Sequence, residues 1–239
     1  MSLRNIPKVG IFSLSSCEGC IVEILALEEE FLDILSMIHV SDCRVLGIKD
    51  EDGEIDVAFV EGAVMSPWDE AKIKKIRERS KILVAIGDCA VSGGRYMFRD
   101  FGLEEIDKKL PRMGKYKAHP LSKYVKVDYC VPGCPIIKEE FKRLLKDILI
   151  KRKPLIPHND VCSECPRYYN CLIDEGKPCL GPITMGGCGA YCPSRSRECV
   201  GCRGLYEDAN VKALIEVFRK KGIRIPTHLV KLLEVSQSE

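Results

Sequence analysis

The 239 residues carry 46% hydrophobic and 30% charged side chains, the balance of a soluble globular chain rather than a disordered one. A net charge of +2 points to neither nucleic acid nor an anionic membrane, and no apolar run nears the roughly 20 residues of a membrane span. The opening Met1-Ser2-Leu3-Arg4-Asn5-Ile6-Pro7 shows no apolar leader and no twin-arginine pair, so a cytoplasmic protein is expected.

Strand and helix signals alternate over residues 8–150. Short runs rich in Val and Ile, bounded by Gly, Pro or Asp, predict strands at Val9–Leu14, Arg44–Ile48, Ile55–Val60, Ile82–Ile86 and Tyr124–Tyr129. Helical spacing predicts helices over Ile21–Ser36, Pro67–Arg79, Leu103–Leu110 and Ile136–Lys151. Alternation of this kind predicts an α/β domain over residues 1–153, a parallel sheet covered on both faces. Ligands on such sheets sit beyond the carboxyl ends of the strands. After Pro154 and Pro157 the composition changes. Residues 158–206 hold eight cysteines, many Gly and Pro and little apolar periodicity, which predicts a second, metal-stapled domain over residues 154–239. Helical spacing returns over residues 207–235, with Val211, Leu214, Ile215 and Phe218 on one face.

Fourteen cysteines are the dominant signal. In a reducing compartment, clustered short spacings point to metal rather than to disulfides. Cys17-x2-Cys20 follows the first strand, Cys89 the fourth in Gly87-Asp88-Cys89-Ala90-Val91-Ser92-Gly93-Gly94, and Cys134 the fifth in Val131-Pro132-Gly133-Cys134-Pro135. Alone, Cys-x2-Cys also serves zinc sites and redox dithiols. Four cysteines brought to one sheet edge form instead a four-thiolate site suited to a [4Fe–4S] cluster.

The second segment reads Cys162-x2-Cys165-x5-Cys171-x7-Cys179, then Cys188-x3-Cys192-x6-Cys199-x2-Cys202. Two consecutive groups of four are the simplest division. Spacing alone leaves open two four-cysteine zinc sites, and interleaved ligation as in two-cluster ferredoxins. Three clusters need twelve thiolates and leave Cys43 and Cys130, both read as small buried hydrophobes at strand termini.

Other residues carry less. Ser13, Ser15 and Ser16 after the first strand suggest a phosphate cradle for a flavin, but cysteines occupy that position. His39, His119, His158 and His228 share no spacing, and only His158 lies near a cysteine group. Trp68 follows Pro67 at a helix start and is expected to pack or to meet a partner. Glu61 ends the third strand near the first thiolate site, where a role beside a cluster or at a subunit interface stands next to a plain structural one.

Taken together, Ser16-Cys17-Glu18-Gly19-Cys20, Glu61-Gly62, Gly87-Asp88-Cys89-Ala90-Val91-Ser92-Gly93-Gly94 and Gly133-Cys134-Pro135 resemble the small subunits of [NiFe] hydrogenases. The resemblance runs from about residue 8 to 206 and is nearest the cytosolic sulfhydrogenase, or NAD(P)-linked soluble, type. Cys179-Leu180-Gly181-Pro182-Ile183-Thr184 with Gly187-Cys188 strengthens that choice. It implies a flavodoxin-like first domain and three [4Fe–4S] clusters: proximal on Cys17, Cys20, Cys89 and Cys134; medial on Cys188, Cys192, Cys199 and Cys202; distal on Cys162, Cys165, Cys171 and Cys179. Exported relatives have a histidine and a proline where this chain has Cys162 and Cys192. It further implies that no hydrogen-splitting centre lies on this chain. A NiFe large subunit would be the partner, with a flavin- and NAD(P)-binding diaphorase subunit and a further iron–sulfur subunit, or a sulfur-reducing partner. The alternatives are a methyl-viologen-type hydrogenase feeding heterodisulfide reductase, and a zinc-stapled interaction module.

Overall fold

The computed structural model describes residues 6–49, 53–94, 118–155, 157–226 and 229. The chain forms two compact units, the first ending at Pro154 and the second beginning at Leu155.

The first unit is a five-stranded sheet: β1 (Lys8–Ser13), β2 (His39–Cys43), β3 (Ile55–Glu61), β4 (Ser80–Ile86) and β5 (Tyr129–Val131). All pairings are parallel and the spatial order is β2-β1-β3-β4-β5, the flavodoxin-like arrangement. Side chains alternate between two apolar faces, as period-2 geometry requires. Val9, Ile11, Val57, Phe59, Val84 and Ile86 look one way, toward α1 (Gly19–Leu25), α2 (Glu29–Met37) and α5 (Lys138–Leu149). Phe12, Ala58, Val60, Leu83 and Ala85 look the other way, toward Ile73 and Ile76 of α3 (Pro67–Arg79) and Ala90 of α4 (Gly87–Ser92). Phe59 meets Phe141 edge-on at 4.8 Å, a geometry worth about 0.5–1.5 kcal/mol beyond its area.

Helix α3 occupies the span expected of it. Ser66 caps it by accepting the Asp69 N–H at 3.2 Å, Pro67 sits in the first turn, and Arg77 and Arg79 face the negative end of the dipole. Three expectations need correction. The apolar run Arg44–Ile48 is not a strand: β2 is His39–Cys43, and Arg44–Leu46 is a 3₁₀ turn closed by left-handed Gly47, which folds Ile48 back against Cys43. The fifth strand comes later than Tyr124–Tyr129, because Asp128 takes the Leu83 N–H with its side chain and β-ladder pairing starts only at Tyr129. The Ile21–Ser36 helix is two helices, broken around Glu28 (φ 53°), with the Ala26 carbonyl freed by the break accepting from Lys138 Nζ at 3.0 Å. The predicted Leu103–Leu110 helix lies outside the described residues.

The second unit has one described α-helix of more than a few residues, α6 (Val211–Lys220), capped by Asn210. Its apolar side chains lack periodicity in sequence yet converge: Leu172, Ile173, Leu180 and Ile183 from irregular backbone meet Leu214, Ile215 and Phe218 of α6. These side chains assemble a core, and thiols are built into its wall. Cys179 and Cys199 are buried members of that core. Among the described residues no helix is long and apolar enough to cross a membrane.

Candidate metal centres

The carboxyl ends of β1, β4 and β5 carry the first group of thiols. Cys17 lies in the loop after β1, Cys20 in the first turn of α1, Cys89 in α4 directly after β4, and Cys134 just past β5. The four stand within electrostatic reach of one another: Cys20 feels Cys134 and Cys89, and Cys89 feels Cys134 and Cys17. The Asp88 N–H donates to the Gly133 carbonyl at 2.7 Å, which ties the loop bearing Cys134 to the helix bearing Cys89. Gly87 presses on Cys20 so closely that a Cβ there would lie 2.4 Å from the sulfur. Cys17 and Cys134 are exposed, whereas Cys20 and Cys89 are half-buried.

Glu61 anchors the Cys17–Cys20 loop from both sides. It ends β3 with 2% of its surface exposed. One oxygen accepts from Ser16 Oγ at 2.6 Å and the other from the Ile21 N–H at 3.0 Å, the residues immediately before Cys17 and after Cys20. The serines after β1 are committed in the same manner. Ser13 donates to Glu18 at 2.9 Å and Ser15 to Asp69 at 2.9 Å. A loop whose hydroxyls face three carboxylates repels a phosphate, so the flavin cradle is replaced by a scaffold for thiols.

In the second unit Cys162, Cys165, Cys171 and Cys179 line one cavity together with apolar Val161, Leu172, Ile173 and two prolines, and with Arg167. Burial pushes the Cys162 thiol up to about 12, with Asp160 and the other three sulfurs adding to it. Burial likewise takes Cys20 to about 12, Cys89 to about 11 and Cys199 to about 12. A cation bound among such thiols would displace their protons. Backbone N–H groups are also aimed at sulfur. Cys199 N–H reaches Cys179 Sγ at 3.3 Å, a second donor to Cys179 is Gly181, and Ile136 and Gly201 supply Cys20 and Cys199. Four thiols, apolar walls and N–H···S contacts are the donor chemistry of an iron–sulfur cluster.

For the last group the structure places Cys199 near Cys202 and also near Cys179. Cys188 packs against the same core. Cys192 lies half-buried in the turn that leads into Pro193–Arg195. Among the described residues no three His, Cys, Asp or Glu side chains converge on a point that suits one metal ion. Of the two spare thiols, Cys43 is buried as expected. Cys130 is not: it is exposed on β5, the last strand in the sheet order among the described residues. His158 is exposed and faces Glu207 at 3.5 Å. Trp68 does not pack among the described residues and is 85% exposed. Glu164 and Arg203 lie within or next to the cysteine groups and are not marked by the sequence pattern. Polar residues between cysteines carry no periodic signal that marks them.

Residues 17–148 match the family model of the NADH ubiquinone oxidoreductase 20 kDa subunit. The chain is 36% identical to sulfhydrogenase 2 subunit delta of Pyrococcus furiosus, over 89% of this chain and 92% of that one. It is 32% identical to a vhu subunit of the F420-non-reducing hydrogenase of Methanocaldococcus jannaschii, over 82% of this chain and 81% of that one. Among solved structures, a chain of an NAD+-reducing [NiFe]-hydrogenase in the H2-reduced state superposes with a TM-score of 0.57 at 26% identity, covering 64% of this chain and 96% of that one. A chain of the Ni-Fe-Se hydrogenase of Desulfomicrobium baculatum shares the fold at a TM-score of 0.59 and 16% identity, over 82% and 94% of the two chains.

Proposed function

The chain belongs to the iron–sulfur small subunits of [NiFe] hydrogenases, within the family of the 20 kDa subunit of NADH ubiquinone oxidoreductase, and from that premise we propose that it carries electrons between a NiFe large subunit and an NAD(P)- or sulfur-reducing partner. Cys17, Cys20, Cys89 and Cys134 would hold the proximal [4Fe–4S] cluster, Cys188, Cys192, Cys199 and Cys202 the medial one, and Cys162, Cys165, Cys171 and Cys179 the distal one. Bound clusters supply one-electron carriage at low potential.

The protein's own residues do the positioning. Glu61 fixes the Cys17–Cys20 loop through Ser16 and Ile21. The N–H groups of Cys199 and Gly181 draw charge from the Cys179 sulfur, a contact that raises the potential of whatever the sulfur ligates. The observation that carries the reading is the meeting of Cys17, Cys20, Cys89 and Cys134 at the carboxyl edge of β1, β4 and β5. The exposure of Cys17 and Cys134 leaves that site open for a large subunit to cover. We place the complex in the cytoplasm, the reducing compartment in which so many thiols stay available to iron. Purified anaerobically with its partners, the complex is expected to hold about twelve irons per copy of this chain and nickel in a separate large subunit. Zinc in place of iron would end the electron-transfer reading.

The second reading is a methyl-viologen-type hydrogenase feeding heterodisulfide reductase; the 32% identity to a subunit of an F420-non-reducing hydrogenase supports a hydrogenase whose electrons go to an acceptor other than F420. Co-purifying subunits distinguish the two: a flavin- and NAD(P)-binding diaphorase with a further iron–sulfur subunit for the first, the reductase for the second.

A further inference from the structure

Two charged side chains grip one short stretch of backbone in the second unit. Glu164 lies in the loop between Cys162 and Cys165, and its two carboxylate oxygens accept from the N–H groups of Gly187 and Gly189. Those two residues flank Cys188, which belongs to the other cysteine group. Both have positive φ, 105° and 60°, which turns their N–H groups toward Glu164. Arg203 is 2% exposed and donates from Nε to the neighbouring Gly186 carbonyl at 2.8 Å. It follows Cys202 directly in the chain.

The glycines are what let both groups in. A Cβ on Gly186 would meet Glu164 Oε1 at 2.2 Å and the Asp160 carbonyl at 2.9 Å. One on Gly187 would meet an Arg203 terminal nitrogen at 2.7 Å. The Asn159 carbonyl adds a third hold, accepting the Gly186 N–H at 2.7 Å. Cys188 therefore hangs between fixed points supplied by the loops of both groups. A second tie runs alongside, since Cys199 donates its N–H to Cys179 Sγ and accepts the Leu180 N–H at 3.0 Å.

We propose that Glu164 is a positioning residue for Cys188, so that the cysteine group from Cys162 to Cys179 and the group from Cys188 to Cys202 are built as one interdependent pair. The proposal rests on the reading that each group holds a cluster. Each N–H meets its own carboxylate oxygen, and Oε1 also accepts from Asn159 Nδ2 at 3.1 Å. Glutamine keeps the shape of Glu164 but offers one acceptor and puts an amide donor against the other N–H.

The test uses the intact complex, purified anaerobically, as wild type and as Glu164→Gln. Cys165→Ser and Cys188→Ser serve to assign the reduced-cluster resonances to each group by electron paramagnetic resonance. Glu164→Gln is expected to alter the resonance that Cys188→Ser alters, and to speed deuterium exchange at least tenfold in the peptide containing Gly187 and Gly189. Glu164→Asp keeps the charge but withdraws the carboxylate by one methylene, and it is read in the same way if Glu164→Gln yields no complex. A change confined to the resonance assigned by Cys165→Ser, or unchanged exchange in that peptide, overturns the proposal while leaving the clusters in place. Wild-type complex without iron would instead overturn the cluster reading, and this proposal with it.

Discussion

Gly87 and the Cys20 thiol are in contact to the exclusion of any side chain: a Cβ on Gly87 would stand 2.4 Å from the sulfur, and its φ of 83° is one that other residues resist. Gly87→Ala is therefore expected to drive Cys20 out of place while leaving the second unit's cysteines untouched. About four of some twelve irons per chain should be lost. Iron per copy of the chain and the loss of one set of resonances check this. Full iron content in Gly87→Ala would mean that Cys20 is not a ligand.

Glu61→Ala leaves the Ile21 N–H without its acceptor in a buried place, a cost of about 1–3 kcal/mol. The loop before Cys17 also loses the contact of Ser16 Oγ. The expected outcome is a lower denaturation midpoint, together with faster iron loss to a chelator from the Cys17 site than from the other two. Equal loss rates across the three sites would reduce Glu61 to a general stabilising role.

Phe218 is fully buried in the core of the second unit. Phe218→Ala removes its largest apolar contribution, and about 3–5 kcal/mol of stability is expected to go with it. Limited proteolysis should then open the chain between residues 158 and 223 and spare the sheet. Cleavage in both units at equal rates would show that they do not fold independently.

Asp128 brings a pH dependence. Its burial raises the carboxyl pKa, but the Leu83 N–H and the Arg77 guanidinium outweigh that and hold it below the ordinary value. A carboxyl with a lowered folded pKa contributes stability above its unfolded value, near 3.9, and loses it as pH falls through the folded pKa. Asp128→Asn should lower stability at neutral pH by about 1–2 kcal/mol and flatten the acid limb of the melting curve. An unchanged acid limb would place the acid-sensitive contacts elsewhere.

Cys130 stands outside the twelve proposed ligands, so Cys130→Ser is expected to retain all iron, read as iron per copy of the chain in the intact complex. Loss of iron in this variant would bring Cys130 into the Cys134 site.

The sheet and the first thiol group were legible because they rest on strong local signals. Val57-Ala58-Phe59-Val60 alternates between two apolar faces, Ser66-Pro67 announces a helix start, and short strands put Cys17, Cys89 and Cys134 at the same edge. The missed strand limits have a common cause. Val45 and Leu46 are as apolar as strand residues but are spent on a partly exposed turn, and Asp128 substitutes a side chain for a ladder bond. Glu164 and Arg203 were illegible for another reason. Their partners are backbone groups of Gly186, Gly187 and Gly189, which leave no mark in a pattern of side chains.

The order in which the chain leaves the ribosome separates the two kinds of site. Cys17 and Cys20 emerge with the first strand, but their companion Cys134 emerges only after the fifth, when the parallel sheet can close. Parallel pairing between distant segments forms slowly, so the nascent chain presents a bare thiol pair until Cys134 and the fifth strand have followed. The later cysteines emerge close together and need no distant strand. On the proposed ligand set, the first site is complete only once the fifth strand has joined the sheet, whereas the later groups depend on neighbouring loops alone.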